Sequence, residues 1–399
     1  MIRKIDYALV GPGLCITATS YGLCRYAYGL FIPIFREEFN LSDEALAYIA
    51  SISYASYFLV ALLGIYISSK IDPRKSLLLG GMTAVVGMML IATALSPAML
   101  VLGVALAGVT PGLAYTPVSE LVVTFVSPNR QRSIYAIINS GTSLGVLLSG
   151  PVAILFEGAW RWSWVGFSGF ALLATLWCAW VIPKVPKDRK AKKNSTVSIT
   201  ISTFLHPERL RLLIIAFVIG IATSVYWTFS VDLISTSEGK SGEIFGYVFN
   251  SELVAQLFWI VVGIAGFGGM FAGYVVNKMG IVLAMALFQI GITTATALLA
   301  STDHIAAIIL SAVLFGAFFV FVAAALGMWS LSLFNDVPAV GFGFTFLMLS
   351  VGQFIGPVLT ANLVGSIGLQ GVFFLSAVVA GSIVFLLPLR REFKFLEKI

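Results

Sequence analysis

Charge is what this sequence has least of. Of its 399 residues only 11% are Asp, Glu, Lys or Arg, while 59% are hydrophobic, and the mean hydropathy is +0.99. Soluble domains carry roughly 25% charged residues. A soluble core of this length cannot hide so much apolar surface, whereas lipid accepts it. Cysteine and histidine are scarce as well. Cys15, Cys24 and Cys178 lie inside apolar stretches, and His206 and His304 fall in separate loops. Those positions exclude a disulfide framework, a C-x-x-C metal site and a zinc constellation. No G-x-x-x-x-G-K-[ST] loop is present, so direct ATP drive has no support. Clustered nucleophiles and cofactor motifs are also missing, which argues against an enzyme and implies no cofactor. The net charge of +6 does not point to nucleic acid, because the cations sit in short gaps between apolar runs.

A bilayer core of about 30 Å needs roughly 20 helical residues per crossing. Apolar runs, read against Gly, Pro and charge breaks, give twelve spans: 7–34, 45–69, 76–95, 98–126, 132–156, 161–182, 211–233, 245–274, 281–300, 304–333, 338–364 and 369–389. The fold class expected is all-α, with an N-terminal six-helix bundle over 1–183, a cytoplasmic linker over 184–208 and a C-terminal six-helix bundle over 209–399. The run from Met1 to Lys4 precedes an apolar stretch too long for a signal-peptide core, so it opens a retained first helix. Lys and Arg are split twenty to three between the termini, even-numbered loops and linker on one side and the odd-numbered loops on the other. The minority are Arg36, Arg161 and Lys240. That bias puts both termini in the cytoplasm of a bacterial-type inner membrane. The linker run Lys187–Lys193 reads as a solvated tether, with anionic lipid as the lesser alternative.

Landmarks recur at a nearly constant offset: Gly64 with Gly273, Gly108 with Gly316, and Gly150-Pro151 with Gly356-Pro357. Such periodicity marks duplicated halves. The segment Gly273-Tyr274-Val275-Val276-Asn277-Lys278-Met279-Gly280 is similar to the loop signature G-x-x-x-D-R-x-G of the major facilitator superfamily. A looser copy runs from Gly64 to Asp72-Pro73-Arg74-Lys75, and Ala159-Trp160-Arg161-Trp162 resembles the family's turn between helices five and six. The resemblance covers essentially the whole chain. It implies two six-helix bundles rocking about a central cavity, with Gly64, Arg74, Lys75, Gly273, Asn277, Lys278 and Gly280 as gating residues. Val104 stands where proton-linked members often have Arg, four residues before Gly108. The G-x8-G-x3-G-P spacing of drug/proton antiporters is out of step in helix five and appears instead in helix eleven, as Gly343, Gly352 and Gly356-Pro357. It points weakly to efflux.

Ionisable groups within a bilayer are costly and mark function or a partner. Arg25 stands deep in the first span with Thr17, Tyr21 and Tyr28 on its face. It either binds an anionic group of a solute or neutralises a proton-carrying carboxylate; a structural salt bridge or snorkelling to the surface is the bland alternative. Adding 207 to Thr17, Tyr21 and Arg25 reaches Ser224, Thr228 and Asp232, so Arg25 and Asp232 are expected to face each other. Glu120, Asp232 and Glu252 are the candidate proton carriers; Glu120 alternatively pairs with Arg74 or Arg130 in a cytoplasmic gate. Tyr115, Asn139, Trp227, Thr228, Trp259 and Gln353 complete a candidate solute site, although most such residues in a membrane protein only pack or mark the interface.

The reading is a monomeric secondary transporter of a small organic solute, moving it by alternating access as a proton-coupled exporter. The alternative is proton-linked or facilitated uptake of an organic anion clamped by Arg25. A non-transporting sensor is a more distant third.

Overall fold

The computed structural model describes residues 8–67, 72–184, 204, 206–236, 242–244, 247–301, 303–335 and 338–388, with side chains outside the description at 64–67, 115, 116, 119, 128, 129, 132, 133, 242–244, 247–249, 338 and 339. The linker, apart from Lys184, Phe204 and 206–208, lies outside these residues, as does the side chain of Tyr115.

The chain is almost wholly helical. Helix α1 is a composite rod of Val10–Thr17, a π-helical stretch Ala18–Tyr26, Ala27–Leu30 and Ile32–Phe39. Next come α2 (Asp43–Ile67), α3 (Pro73–Ala92), α4 (Pro97–Phe125), α5 in two pieces (Pro128–Asn139 and Gly141–Leu155) and α6 (Trp160–Val181). The second half holds α7 (Pro207–Ser235), α8 (Ser251–Gly266, continuing through a tight turn Phe267–Phe271 into Ala272–Met279), α9 (Ile281–Ser301), α10 (Ile305–Leu333) and α11 (Pro338–Leu386). Ten of these elements, α2 to α11, are long and apolar enough to cross a membrane. Many large apolar side chains are exposed, including Leu95, Trp180 and Phe385, as lipid contact requires.

Local chemistry sets the ends. Asp72 accepts the Arg74 backbone N–H ahead of Pro73, and Ser96 does the same for Met99 ahead of Pro97, pairings that start helices in the usual way. Asn40 closes α1 in the left-handed conformation. The glycine ending the Gly273–Gly280 motif has φ of 79°, which only glycine adopts without strain.

The largest departures from expectation are at the eighth span, the last two and the first. The eighth span starts at Ser251, not 245, because Tyr247–Phe249 pairs with Gly242–Ile244 as a short hairpin and Asn250 caps the helix through the Leu253 N–H. The spans expected at 338–364 and 369–389 form one element, broken only at Gly368, where φ is 68°. The first helix runs on past its span to Phe39 and contains a π-helical stretch. There Thr17, Thr19 and Ser20 all hydrogen-bond carbonyls four residues back, competing with the backbone ladder. Gly22 lies against Gly145 of α5 so closely that a Cβ would overlap its backbone. Wide turns of this kind are frequent at functional positions.

Packing of α1 on α5 through Gly22 and Gly145 has its counterpart in α7 on α11 through Gly220 and Gly352. Gly145 and Gly352 stand 207 residues apart, the offset of the sequence repeat. Among the described residues the two halves of the chain meet chiefly where α1 packs on α7, α2 on α11, and α5 on α8.

Candidate functional site

The seam between α1 and α7 carries the two buried charged side chains among the described residues, Arg25 (4% exposed) and Asp232 (1%). They do not pair with each other. Gly29 abuts the carbonyls of Trp227 and Thr228, which sets the relative height of the two helices. Arg25 then sits a turn to one side of that contact and Asp232 a turn to the other, roughly 12 Å apart along the axis at 1.5 Å per residue. The expected Arg25–Asp232 pairing is therefore corrected. Asp232 receives a hydrogen bond from Nη2 of Arg36 at 2.5 Å, and Arg36 also pairs with Asp43 at the start of α2. By sequence Arg36 is only a loop cation. Burial of the α1 extension to Phe39 brings it onto α7.

Arg25 instead donates from Nη2 to Oε1 of Gln353 on α11 at 2.5 Å. Its guanidinium lies over Tyr54 and Tyr57 of α2 at 4.5 and 4.7 Å from the ring centroids, and over Tyr21 and Tyr26 of its own helix at 5.6 and 5.8 Å. Cation–ring contacts within about 6 Å are attractive. Nε of Arg25 is buried without a partner, and no described residue forms an ion pair with this cation. It neither reaches the surface nor points to lipid. With Tyr28, Gly29, Ala50, Ser53, Tyr54, Trp227 and Thr228 it lines a crevice at the seam, packed too tightly to hold a water-sized group.

The other expected solute-site residues divide. Tyr21 joins the cage, its hydroxyl 3.4 Å from that of Tyr57, while Tyr28 lines the crevice and donates to the Leu46 carbonyl at 3.0 Å. Trp227 stacks on Tyr26 at 4.0 Å, and its indole N–H is buried without a partner. Trp259 is fully buried, edge-on to Trp227, and donates to Ser149 of α5 at 2.9 Å; it is a seam contact. Thr17 is not on the crevice wall. It packs under Gly141 of α5, because the wide turns of the π-helical stretch rotate the stripe predicted for a regular helix. Asn139 ends the first piece of α5 and is half-buried.

Of the candidate proton carriers, Glu252 is exposed in the first turn of α8, the place of a solvated carboxylate. Glu120 is half-buried on α4. Arg74 docks its guanidinium on the carbonyls of Ile182 and Ala179, at 2.7 and 2.6 Å. It thus covers carbonyls left unsatisfied at the end of α6, a favourable place for a cation. Lys75, Asn277 and Lys278 are exposed, while Gly64 and Gly273 lie within α2 and α8. Arg161 of the Trp-Arg-Trp turn binds Glu38 at 2.7 Å and the Ala94 carbonyl at 3.0 Å, tying the ends of α1, α3 and α6. The Glu38 carboxyl is held below the usual range, chiefly by that hydrogen bond from Arg161.

The sequence profile of the Major Facilitator Superfamily matches residues 14–347. The chain belongs to that superfamily. This facilitator is 28% identical over 224 residues to an uncharacterized transporter, YgaY, of Escherichia coli K12, a match spanning 55% of each chain, about half the length of that relative. It is 23% identical over 385 residues to the hexuronate transporter of Bacillus subtilis, covering 90% of this chain and 88% of that one. To monocarboxylate transporter 12 of Homo sapiens it is 33% identical over 158 residues, 38% of this chain and 30% of the relative. The nucleoside transporter NupG superposes with a TM-score of 0.72 at 14% identity, over 96% of this chain and 97% of that one, a likeness of fold. The facilitator is a multi-pass membrane protein of that superfamily, and the bacterial relatives it resembles are named as transporters.

Proposed function

We propose that this facilitator is a secondary transporter of a small organic anion, with Arg25 as the clamp for its carboxylate. The observation that carries the reading is the guanidinium at the seam of the two chain halves. It is enclosed by four tyrosine rings and engaged by a neutral acceptor only. A buried cation of this kind is a binding group for an anion, since a carboxylate accepts bidentate hydrogen bonds from it. The hexuronate and monocarboxylate relatives have names consistent with such a solute.

Alternating access follows from the architecture we infer: twelve crossings in two six-helix bundles, 1–183 and 209–399, joined by the cytoplasmic linker 184–208. The ten long helices supply ten; the break at Gly368 divides α11 into two, and the composite α1 adds the last. With the termini cytoplasmic, the Arg36 end faces outward, and Arg36–Asp232 latches the outer mouth shut. Asp232 is the favoured proton carrier, because neutralising it would release the latch. Two of the three glycines that suggested efflux have packing roles, Gly352 against Gly220 and Gly356 against Ser224, while Gly343 faces open space. Uptake of an anion is therefore preferred to proton-driven export, with lipid and protons as its partners and the monomer as its unit.

Counterflow in proteoliposomes with acetate, lactate, glucuronate and the matching neutral amides tests this. Carboxylates are expected to exchange and amides to be inert. Arg25→Lys, which keeps the charge but loses the planar fork, is expected to lower exchange by at least tenfold, one bidentate hydrogen bond being worth about 1.5–3 kcal/mol. Transport of amides at the carboxylate rate, or full activity in Arg25→Lys, would overturn the assignment.

A further inference from the structure

We infer that this carrier reorients without solute, as a net transporter and not an obligate exchanger, because Gln353 takes the place of the solute carboxylate on Arg25. The inference rests on the anion reading above and adds to it a transport mode and a positioning role for one residue.

An unliganded guanidinium is expensive to enclose within a bilayer. A carrier whose binding cation has no protein acceptor can close only around its anion, and so exchanges one solute for another. Here the closed seam supplies its own acceptor. Gln353 reaches from α11 to Arg25 Nη2, the tyrosines of α1 and α2 cover the guanidinium faces, and the crevice walls leave no room for a solute beside them. The groups facing Gln353 are Arg25 and the hydroxyl of Tyr26, with Gly220 of α7 against its backbone. An amide oxygen is a good but neutral partner. It satisfies one N–H and leaves Nε bare, so an anion still displaces it. The substitution is thus strong enough to permit closure and weak enough to be reversed by solute.

The test compares two fluxes of labelled glucuronate and labelled lactate through the full-length protein in proteoliposomes: net uptake into solute-free vesicles, and exchange into vesicles loaded with the same solute. The wild type is expected to show both, at rates within about tenfold. Gln353→Leu keeps the volume and removes the acceptor. Loss of a hydrogen bond to a charged group predicts that net uptake falls roughly ten- to a hundredfold relative to exchange, and monodisperse elution of the purified variant certifies its fold independently of either flux. Gln353→Glu replaces the stand-in by a charged one. It is expected to preserve the ratio of net to exchange flux and to raise the KM for solute by at least tenfold. A wild type that exchanges but shows no net uptake overturns the inference. So does Gln353→Leu changing both fluxes in proportion, or Gln353→Glu leaving KM unchanged. A wild type that moves neither carboxylate in either assay instead removes the anion reading itself, and this inference with it.

Discussion

Removing Arg36 should open the outer mouth. The side chain of Asp232 is 1% exposed and that of Arg36 26%, and Asp43 provides a second, more exposed partner. Two unit charges about 4 Å apart attract by about 4 kcal/mol at an effective dielectric of 20. Partial exposure of Arg36 lowers this figure through solvent screening. Loss of one partner, however, also strands a buried carboxylate, which costs about 3–5 kcal/mol in a fully buried pair. A value of about 2–4 kcal/mol against the closed state follows, roughly a thirty- to eight-hundredfold gain in the open population relative to closed. The assay is labelling from outside by a membrane-impermeant maleimide of Ser53→Cys, a crevice position, in a background where the three native cysteines are serine. Arg36→Met should accelerate labelling by at least tenfold. Arg36→Met combined with Asp232→Leu should return it to near the starting rate, because replacing both members of a buried pair by apolar groups is close to neutral. If Arg36→Met labels no faster than its parent, or the double variant labels as fast as the single one, the pair does not hold this end shut.

Two further outcomes bear on the same architecture. Gly29→Ala places a methyl group on the Trp227 carbonyl, so α1 and α7 cannot close fully; external labelling at Ser53→Cys should rise with little change in expression. At the Glu38–Arg161 tie, the folded carboxyl titrates below the ordinary range. Its stabilisation is complete above the unfolded-state pKa and disappears as pH falls through the lower folded value. The Tm difference between wild type and Glu38→Gln should accordingly be small but present at neutral pH and vanish in acid below the ordinary glutamate range, and a difference that grows in acid would refute the tie.

The membrane class was legible in residues 1–399 because hydrocarbon imposes a one-dimensional rule: each crossing must satisfy its own backbone within about 20 apolar residues. The superfamily was legible because Gly273–Gly280 encodes a turn geometry, seen in the positive φ of Gly280. Arg25 was legible too, since a cation in an apolar run is conspicuous whatever it touches. Its partners were not. The offset that led from Arg25 to Asp232 assumed one helical pitch and one relative height for both halves. The π-helical turns at Ala18–Tyr26 changed the first, and the contact of Gly29 with Trp227 set the second. Gln353 lies 328 residues from Arg25, Tyr54 and Tyr57 belong to another helix, and Arg36 looked like any loop cation. Composition and local spacing determine which segments enter the membrane and which residues are out of place there. Only the packing of one helix on another, by shape and close approach of glycines, decides which of those residues meet.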